Sequence, residues 1–185
     1  MKKVIALFVV LIMLSCGSLA VCEDYDTFSD EQLIAMLNSA RFELLKRNAK
    51  QDKMVLLDLE GVFVYLTGKV ETSDSNVLKM EAVIANNTKN AFYAFSKAYL
   101  NGWKCGSFDT GLPPHSNGMI LPGTKQKGTI YFNPADTDLT DWNEATDMSL
   151  LFSVYDIEDN LILESELMTY PLSIDLKHNS VSIKD

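Results

Sequence analysis

Five acidic side chains, Asp136, Asp138, Asp141, Glu144 and Asp147, crowd one short stretch of the chain. Hard oxygen ligands gathered in a loop are what a calcium ion needs. The spacing departs from the calcium-binding helix–loop–helix pattern, because no glycine makes the sharp turn and Asp147 stands where a bidentate Glu belongs. The expected role of residues 136–147 is therefore a solvated acidic loop, with structural calcium as the alternative. The two histidines, His115 and His178, have no nucleophile or metal-ligand partner at a useful spacing. Phosphate-cradling glycine loops, His-Glu-x-x-His pairs and nucleophile elbows do not occur in the sequence. Carboxylates distant in sequence could still pair for glycoside hydrolysis. The acidic surface accounts for them without that role, so the chain is expected to be no enzyme and to need no cofactor.

Three further groups of residues carry chemistry of a different kind. Tyr93, Phe95 and Tyr99 share one face of a strand-like run, opposite Phe92, Ala94, Ala98 and Leu100. Aromatic side chains mostly go inside, so the first expectation is a buried second face, with a ligand-facing strip for sugar or protein as the alternative. Cys16, Cys22 and Cys105 are the three cysteines. With Cys16 removed or lipidated, Cys22 and Cys105 form the one possible intramolecular disulfide, and outside the cytoplasm it is plausible. Its loop of more than 80 residues corresponds to about 4–5 kcal/mol in the chain-entropy picture. The other reading leaves Cys105 a lone buried thiol. Finally, Asn86-Asn87-Thr88 matches a glycosylation acceptor but reads as part of an Asn-rich turn.

The elements that would position these groups follow from periodicity. Lys2 and Lys3 precede an apolar run over residues 4–14, and Ser15-Cys16-Gly17-Ser18-Leu19-Ala20 follows. A basic start, a short apolar core and a small-residue exit form a secretory signal, assigned to residues 1–22. Two exits fit: lipoprotein processing at Cys16, after Met13-Leu14-Ser15, or cleavage near Ala20 through Ser18-x-Ala20. The product is either secreted or held at the cell surface by a lipid on Cys16, which is the one expected membrane contact. Losing Lys2 and Lys3 takes the net charge from −9 to −11, since residues 1–22 hold no acid. Such a chain has no electrostatic footprint for nucleic acid.

Residues 23–53 read as a lead and one amphipathic helix from Ser29 to about Ala49. Ser29 and Gln32 form a capping box, with Phe28 and Leu33 placed as its hydrophobic staple. Leu33, Leu37, Ala40 and Leu44, flanked by Ile34 and Leu45, make an apolar stripe at helical spacing. From Met54 the period changes to that of strands. Met54–Leu59 and residues 62–67 flank Glu60-Gly61 as a tight hairpin or one bulged strand. Residues 77–85 and 91–100 alternate around the Asn turn at 86–90 and are expected to form the central hairpin, closing on Asn101-Gly102. Loops are expected at 108–118 and 133–146, the latter with a short helix near Trp142. Strands follow at 128–132, 148–155, 161–168 and 171–176, and residues 177–185 read as a frayed tail.

Seven or eight short antiparallel strands with turns between them predict a mainly β sandwich over residues 54–176. The order of motifs resembles immunoglobulin-like β-sandwich domains of uncharacterised secreted proteins and lipoproteins of Gram-positive bacteria. The resemblance is carried by Leu78-Lys79-Met80-Glu81 running to Asn86-Asn87, by Tyr99-Leu100-Asn101-Gly102-Trp103, by Leu121-Pro122-Gly123, and by the run from Leu150 to Asp156. Ser29-Asp30-Glu31-Gln32-Leu33 is similar to the short helices that precede such domains. It implies a fold and no catalytic residues, because the architecture hosts many functions. The expected function is a non-enzymatic extracellular binding module whose partner is a protein or a glycan. The alternatives are a carbohydrate-binding or hydrolase-accessory domain, and a secreted protease inhibitor presenting Leu112-Pro113-Pro114-His115.

Overall fold

The computed structural model describes residues 28–51, 54–109 and 119–184. The chain divides into two compact units, Met1–Leu45 and Lys46–Asp185. Helix α1, Asp30–Gln51, runs through the division. Its start is capped as the sequence dictates. The Ser29 amide donates to Gln32 Oε1 at 2.8 Å, and the Gln32 amide to Ser29 Oγ at 3.2 Å. Leu33 is buried, but Ile34 and Leu44 of the expected stripe are exposed. Phe42 is buried instead. It lies nine positions after Leu33, which at about 100° per residue is the opposite side of the helix. In the second unit, Lys46 Nζ meets Asp58 Oδ1 at 2.7 Å and the Met54 amide donates to the Ala49 carbonyl at 3.1 Å. These two contacts set the helix end against the first strand.

That second unit is built from ten strands. They are β1 (Val55–Leu59), β2 (Val62–Thr72), β3 (Leu78–Asn86), β4 (Tyr93–Leu100) and β5 (Trp103–Asp109), followed by β6 (Lys125–Phe132), β7 (Asp147–Tyr155), β8 (Leu161–Glu164), β9 (Met168–Asp175) and β10 (Ser180–Ile183). Eight of them pair in a ring, β2-β3-β6-β5-β4-β7-β9-β10 and back to β2, all antiparallel. The sheet is a closed barrel. β1 adds to β2 outside the ring, and β8 to β7.

Closure overturns the expected immunoglobulin-like sandwich. A sandwich keeps free edges on two sheets, whereas here β2 meets β10 through the pair Ser180↔Lys69. The Val70 amide donates to the Asn179 carbonyl at 3.1 Å beside it. The closing strand comes from the stretch expected to fray. Val181 is 3% exposed and joins the barrel core, so burial on its inner face and pairing with β9 hold residues 180–183 in place. A β-bulge in β2 between Leu66 and Val70, with Gly68 at φ +83°, lets one strand serve both neighbours.

The expected central hairpin also fails. β3 pairs with β2 and β6, while β4 pairs with β5 and β7. Residues 86–92 instead cross from one part of the ring to another. Asn86, 1% exposed, holds that crossing. Its Nδ2 donates to the carbonyls of Asn90 (2.8 Å) and Ile120 (2.7 Å). Its Oδ1 accepts from the Thr88 amide and hydroxyl, both at 2.8 Å. The Asn87 amide donates to the Gly61 carbonyl at 2.8 Å, at the Glu60-Gly61 turn that makes β1 and β2 a tight hairpin. Both turn residues have positive φ, as do Asn101 and Gly102 between β4 and β5.

Inside the ring, alternate residues of every strand meet. Phe92, Phe108, Phe132 and Phe152 are fully buried, and Phe108 meets Phe152 edge-on at 5.8 Å. Trp142, from a 3-10 turn over Trp142–Glu144, enters this core and donates Nε1 to the Asn76 carbonyl at 3.0 Å. Tyr170 donates its hydroxyl to the Leu56 carbonyl, tying β9 to β1.

Candidate functional site

Residues 92–100, β4 and the residue before it, alternate strictly between core and wall. Phe92, Ala94, Ser96, Ala98 and Leu100 point inward and are buried. Tyr93, Phe95 and Tyr99 therefore stand on the outer wall, with Phe95 43% exposed and the two tyrosines half-buried. This corrects the expectation that the strip is a buried second face. Closing the ring spends only one face of β4 on the core, and among the described residues the outer face of the strand leaves Phe95 exposed and the two tyrosines half-buried.

The strip is stiffened by its neighbours. Tyr93 lies opposite Tyr155 of β7, and the rings stack at 5.2 Å with 13° between planes. The Tyr93 hydroxyl donates to Asp159 Oδ1 at 2.6 Å. That bond, with smaller contributions from burial and nearby charge, pushes the Tyr93 phenol up to about 12. Asp159 is placed by the turn after β7, where Asp156 Oδ1 accepts the amides of Glu158 and Asn160 at 2.8 and 2.9 Å. The Asn160 bonds, foremost its side chain, hold Asp156 below the usual carboxylate range. On the far side, Leu161 of β8 pairs with Tyr155 and is 51% exposed. Leu161, Tyr155 and Tyr93 thus form one row across three strands, with Phe95 in the next row beside Ser153. Ile157, in the turn after β7, and Ile162 of β8 are also exposed, at 73% and 47%.

A second feature was not legible in the sequence. A groove of about 660 Å³ runs along β2, β3 and β6 and under the turn between β9 and β10. Lys69, Lys79 and Lys127 line it, together with Glu71 and Glu81. Lys127 Nζ meets Glu81 Oε2 at 2.9 Å, and this bond, ahead of smaller effects, lowers the Glu81 carboxyl from its ordinary value. His178, at the rim, places Nδ1 2.6 Å from Asp175 Oδ2, which lowers the Asp175 carboxyl. The contributing residues lie far apart in the chain, and only the break at Gly68 hints at an irregular wall.

The acidic stretch spends its carboxylates locally. Asp141 Oδ1 accepts the Asn143 amide at 2.9 Å and its side-chain nitrogen at 2.8 Å. Asp136 Oδ2 accepts from Asn133 Nδ2 at 3.1 Å, and Glu144 faces the Thr140 hydroxyl at 3.5 Å. Asp147 Oδ2 meets the Thr146 hydroxyl at 3.2 Å, and Asp138 is exposed. Among the described residues no three His, Cys, Asp or Glu side chains gather as a metal site. Cys105 is a free thiol, 3% exposed, and burial pushes its pKa up. Cys16, Cys22, His115 and the Leu112-Pro113-Pro114-His115 segment lie outside the described residues. Asn86 uses both amide hydrogens and is buried, so the Asn86-Asn87-Thr88 match is a structural turn.

No family model matches the chain, and no curated protein matches it. Among solved structures, the crystal structure of the yeast GGA1 GAE domain aligns with 66% of this chain and 98% of its own, at 11% identity and a TM-score of 0.33. A likeness that low carries no argument about either fold or function.

Proposed function

We propose that this barrel is a non-enzymatic extracellular binding module that docks a protein partner on the outer wall of β8, β7 and β4. One observation carries the reading: the row Leu161–Tyr155–Tyr93, with Phe95 beside it, is an apolar surface on paired strands with its rings fixed in place. Contiguous exposed apolar surface of this kind is characteristic of interaction sites. Rigid aromatic side chains lose little freedom on binding, which favours them as anchors. The aliphatic Leu161 within the row suits a protein more than a sugar. The extracellular assignment rests on the leader-like residues 1–22, and the non-enzymatic one on carboxylates engaged in local turns.

A glycan reading is favoured by one feature, the spacing of Tyr93, Phe95 and Tyr99 along a single wall. At about 3.4 Å per strand residue the strip is about 20 Å long, enough for several sugar rings. Photo-crosslinking separates the two. A photoreactive phenylalanine at position 95, with producing cells as the source of partners, should give one discrete protein adduct that Leu161→Ser and Tyr155→Ser suppress. The same probe at the exposed Lys89 should give none. Equal adducts from both positions would sink the docking face. Binding of neutral oligosaccharides that depends on Phe95, without any adduct, would transfer the site to glycans.

A further inference from the structure

Charge is spread unevenly along this chain. Residues 128–176 hold 11 Asp and Glu and no Lys, Arg or His. The rest of the chain has 16 Lys and Arg against 14 Asp and Glu. The net negative charge therefore comes entirely from that one stretch, which includes β7 and β8.

Four of its carboxylates rim the wall of β8, β7 and β4. Asp156, Glu158 and Asp159 are in the turn between β7 and β8, and Glu164 is on β8. Among the described residues none of the four is ion-paired. Neutral donors hold two of them at the wall itself. The Tyr93 hydroxyl donates to Asp159 Oδ1 at 2.6 Å, and the Ser153 hydroxyl to Glu164 Oε1 at 3.2 Å. Such bonds fix an anion in place without cancelling its charge. Asp159 Oδ2 and Glu164 Oε2 have no hydrogen-bond partner among the described residues.

The strand register sets their order. Tyr155 pairs with Leu161, and Ser153 pairs with Glu164 two residues back along β7, on the same outer face. That step is about 6.8 Å. The turn carrying Asp159 leaves β7 at the other end of this row. The apolar row thus lies between two fixed carboxylates. The exposed bases Lys89 and Lys97 belong to β4 and the crossing before it, and β7 and β8 have none.

We propose that the partner docked on this wall presents an extended segment with one apolar residue between two basic ones. Its apolar side chain covers Tyr155, Leu161 and Phe95, and its basic ones meet Asp159 and Glu164. The partner's charge rests on the docking reading of the wall and narrows it. Complementary charge across an interface selects the partner, and a cation beside the open Phe95 ring gains from its face. A second copy of this chain is a poor occupant, because the same carboxylates would meet face to face.

NMR titration of the whole protein at low salt tests this with two synthetic peptides. One is acetyl-Gly-Arg-Thr-Leu-Thr-Arg-Gly amide, and the other has Gln in place of both Arg. The Arg peptide should shift the amides of β4, β7, β8 and residues 156–160, and should weaken as salt is raised. The Gln peptide should bind about 10-fold more weakly. Asp159→Asn with Glu164→Gln keeps an oxygen for each hydroxyl, yet should lose about 10-fold for the Arg peptide. Phe95→Ser should also weaken it, whereas Asp136→Asn with Asp138→Asn, elsewhere in the acidic stretch, should not. Equal binding of the two peptides, shifts spread evenly over residues 128–176, full affinity in the Asp159/Glu164 variant, or no shifts at all would each overturn the basic partner. A discrete crosslink at position 95 alongside such a result leaves the docking wall standing. Absence of that crosslink removes the wall and the basic partner together.

Discussion

Replacing Asn86 by Ala removes a side chain that makes four hydrogen bonds at 1% exposure. Each is worth about 0.5–1.5 kcal/mol net, so the four bound the loss at about 2–6 kcal/mol. Two of the partners are not orphaned. The Ile120 carbonyl still accepts the Phe92 amide at 3.3 Å, and the Asn90 carbonyl still accepts the Thr88 hydroxyl at 2.8 Å. The Thr88 amide does lose its acceptor. The expected cost is about 2–4 kcal/mol, a large share of a domain's usual stability of about 5–15 kcal/mol. In urea unfolding, followed by the fluorescence of buried Trp142, that is a midpoint shift of about 1–2 M at a slope of about 2 kcal/mol/M. Asn86→Asp sharpens the test, because it turns two donors into an acceptor facing two carbonyl oxygens. The introduced carboxylate is disfavoured in the fold, so its folded pKa rises above the ordinary value of about 3.9. Any deficit it causes is therefore smallest at low pH and grows as pH climbs through and above that value. A midpoint shift below about 0.3 M for Asn86→Ala, or a pH-independent deficit for Asn86→Asp, would refute Asn86 as the anchor of the crossing.

Gly106→Ala would put a Cβ 2.1 Å from the Tyr131 carbonyl oxygen and 2.6 Å from Phe132 Cδ1. Calorimetry should show a loss of about 2–3 kcal/mol from overpacking, against about 1 kcal/mol for Gly102→Ala, where the Cβ meets nothing and only the φ of +82° is strained. Equal effects at the two positions would contradict the close approach. In an absorbance titration of the native protein, the Tyr93 phenol should ionise late, near 12, and Tyr93→Phe should shrink the late-ionising absorbance by one phenol, leaving that of Tyr170, which burial also raises. The folded pKa of Tyr93 is raised, so the stabilisation is present below about pH 10 and lost as pH rises through about 12. With Cys16 and Cys22 replaced by Ser, Cys105 should react with a thiol reagent far more slowly in the native protein than in denaturant. Rapid native reaction would contradict its burial.

Local chemistry was legible in the sequence and long-range pairing was not. The Ser29/Gln32 cap, the two tight turns at Glu60-Gly61 and Asn101-Gly102, and the alternation of β4 all follow from residue types within a few positions, whereas β3 and β7 are buried on both faces over much of their length. Alternation says that a strand has two faces, but not which strands lie beside it. The Asn-rich turn at 86–90 therefore looked like a hairpin, when the deciding contacts come from Gly61, Ile120 and Thr124. Residues 180–183 looked frayed because their partners lie on β9 and β2, and two apolar anchors, Val181 and Ile183, give too weak a pattern. Tyr93, Phe95 and Tyr99 were found as a strip from their spacing, yet their exposure depended on whether the sheet closed. The Lys69–Lys79–Lys127 groove had no local signal, since it joins side chains from three strands.

The pair Ser180↔Lys69 joins the second strand in chain order to the tenth. A nascent chain that folds as it emerges makes β2 early and must wait through more than a hundred residues for the partner that seals it. Until then β2 and β9 present open backbone edges, the kind that recruit strands from other molecules. Loop-closure entropy also makes so distant a pairing slow to form. A chain ended after Asp175 should therefore show more oligomer or aggregate on size exclusion after refolding than the full chain does. The single seam that completes the barrel is also the step at which its assembly is most exposed to error.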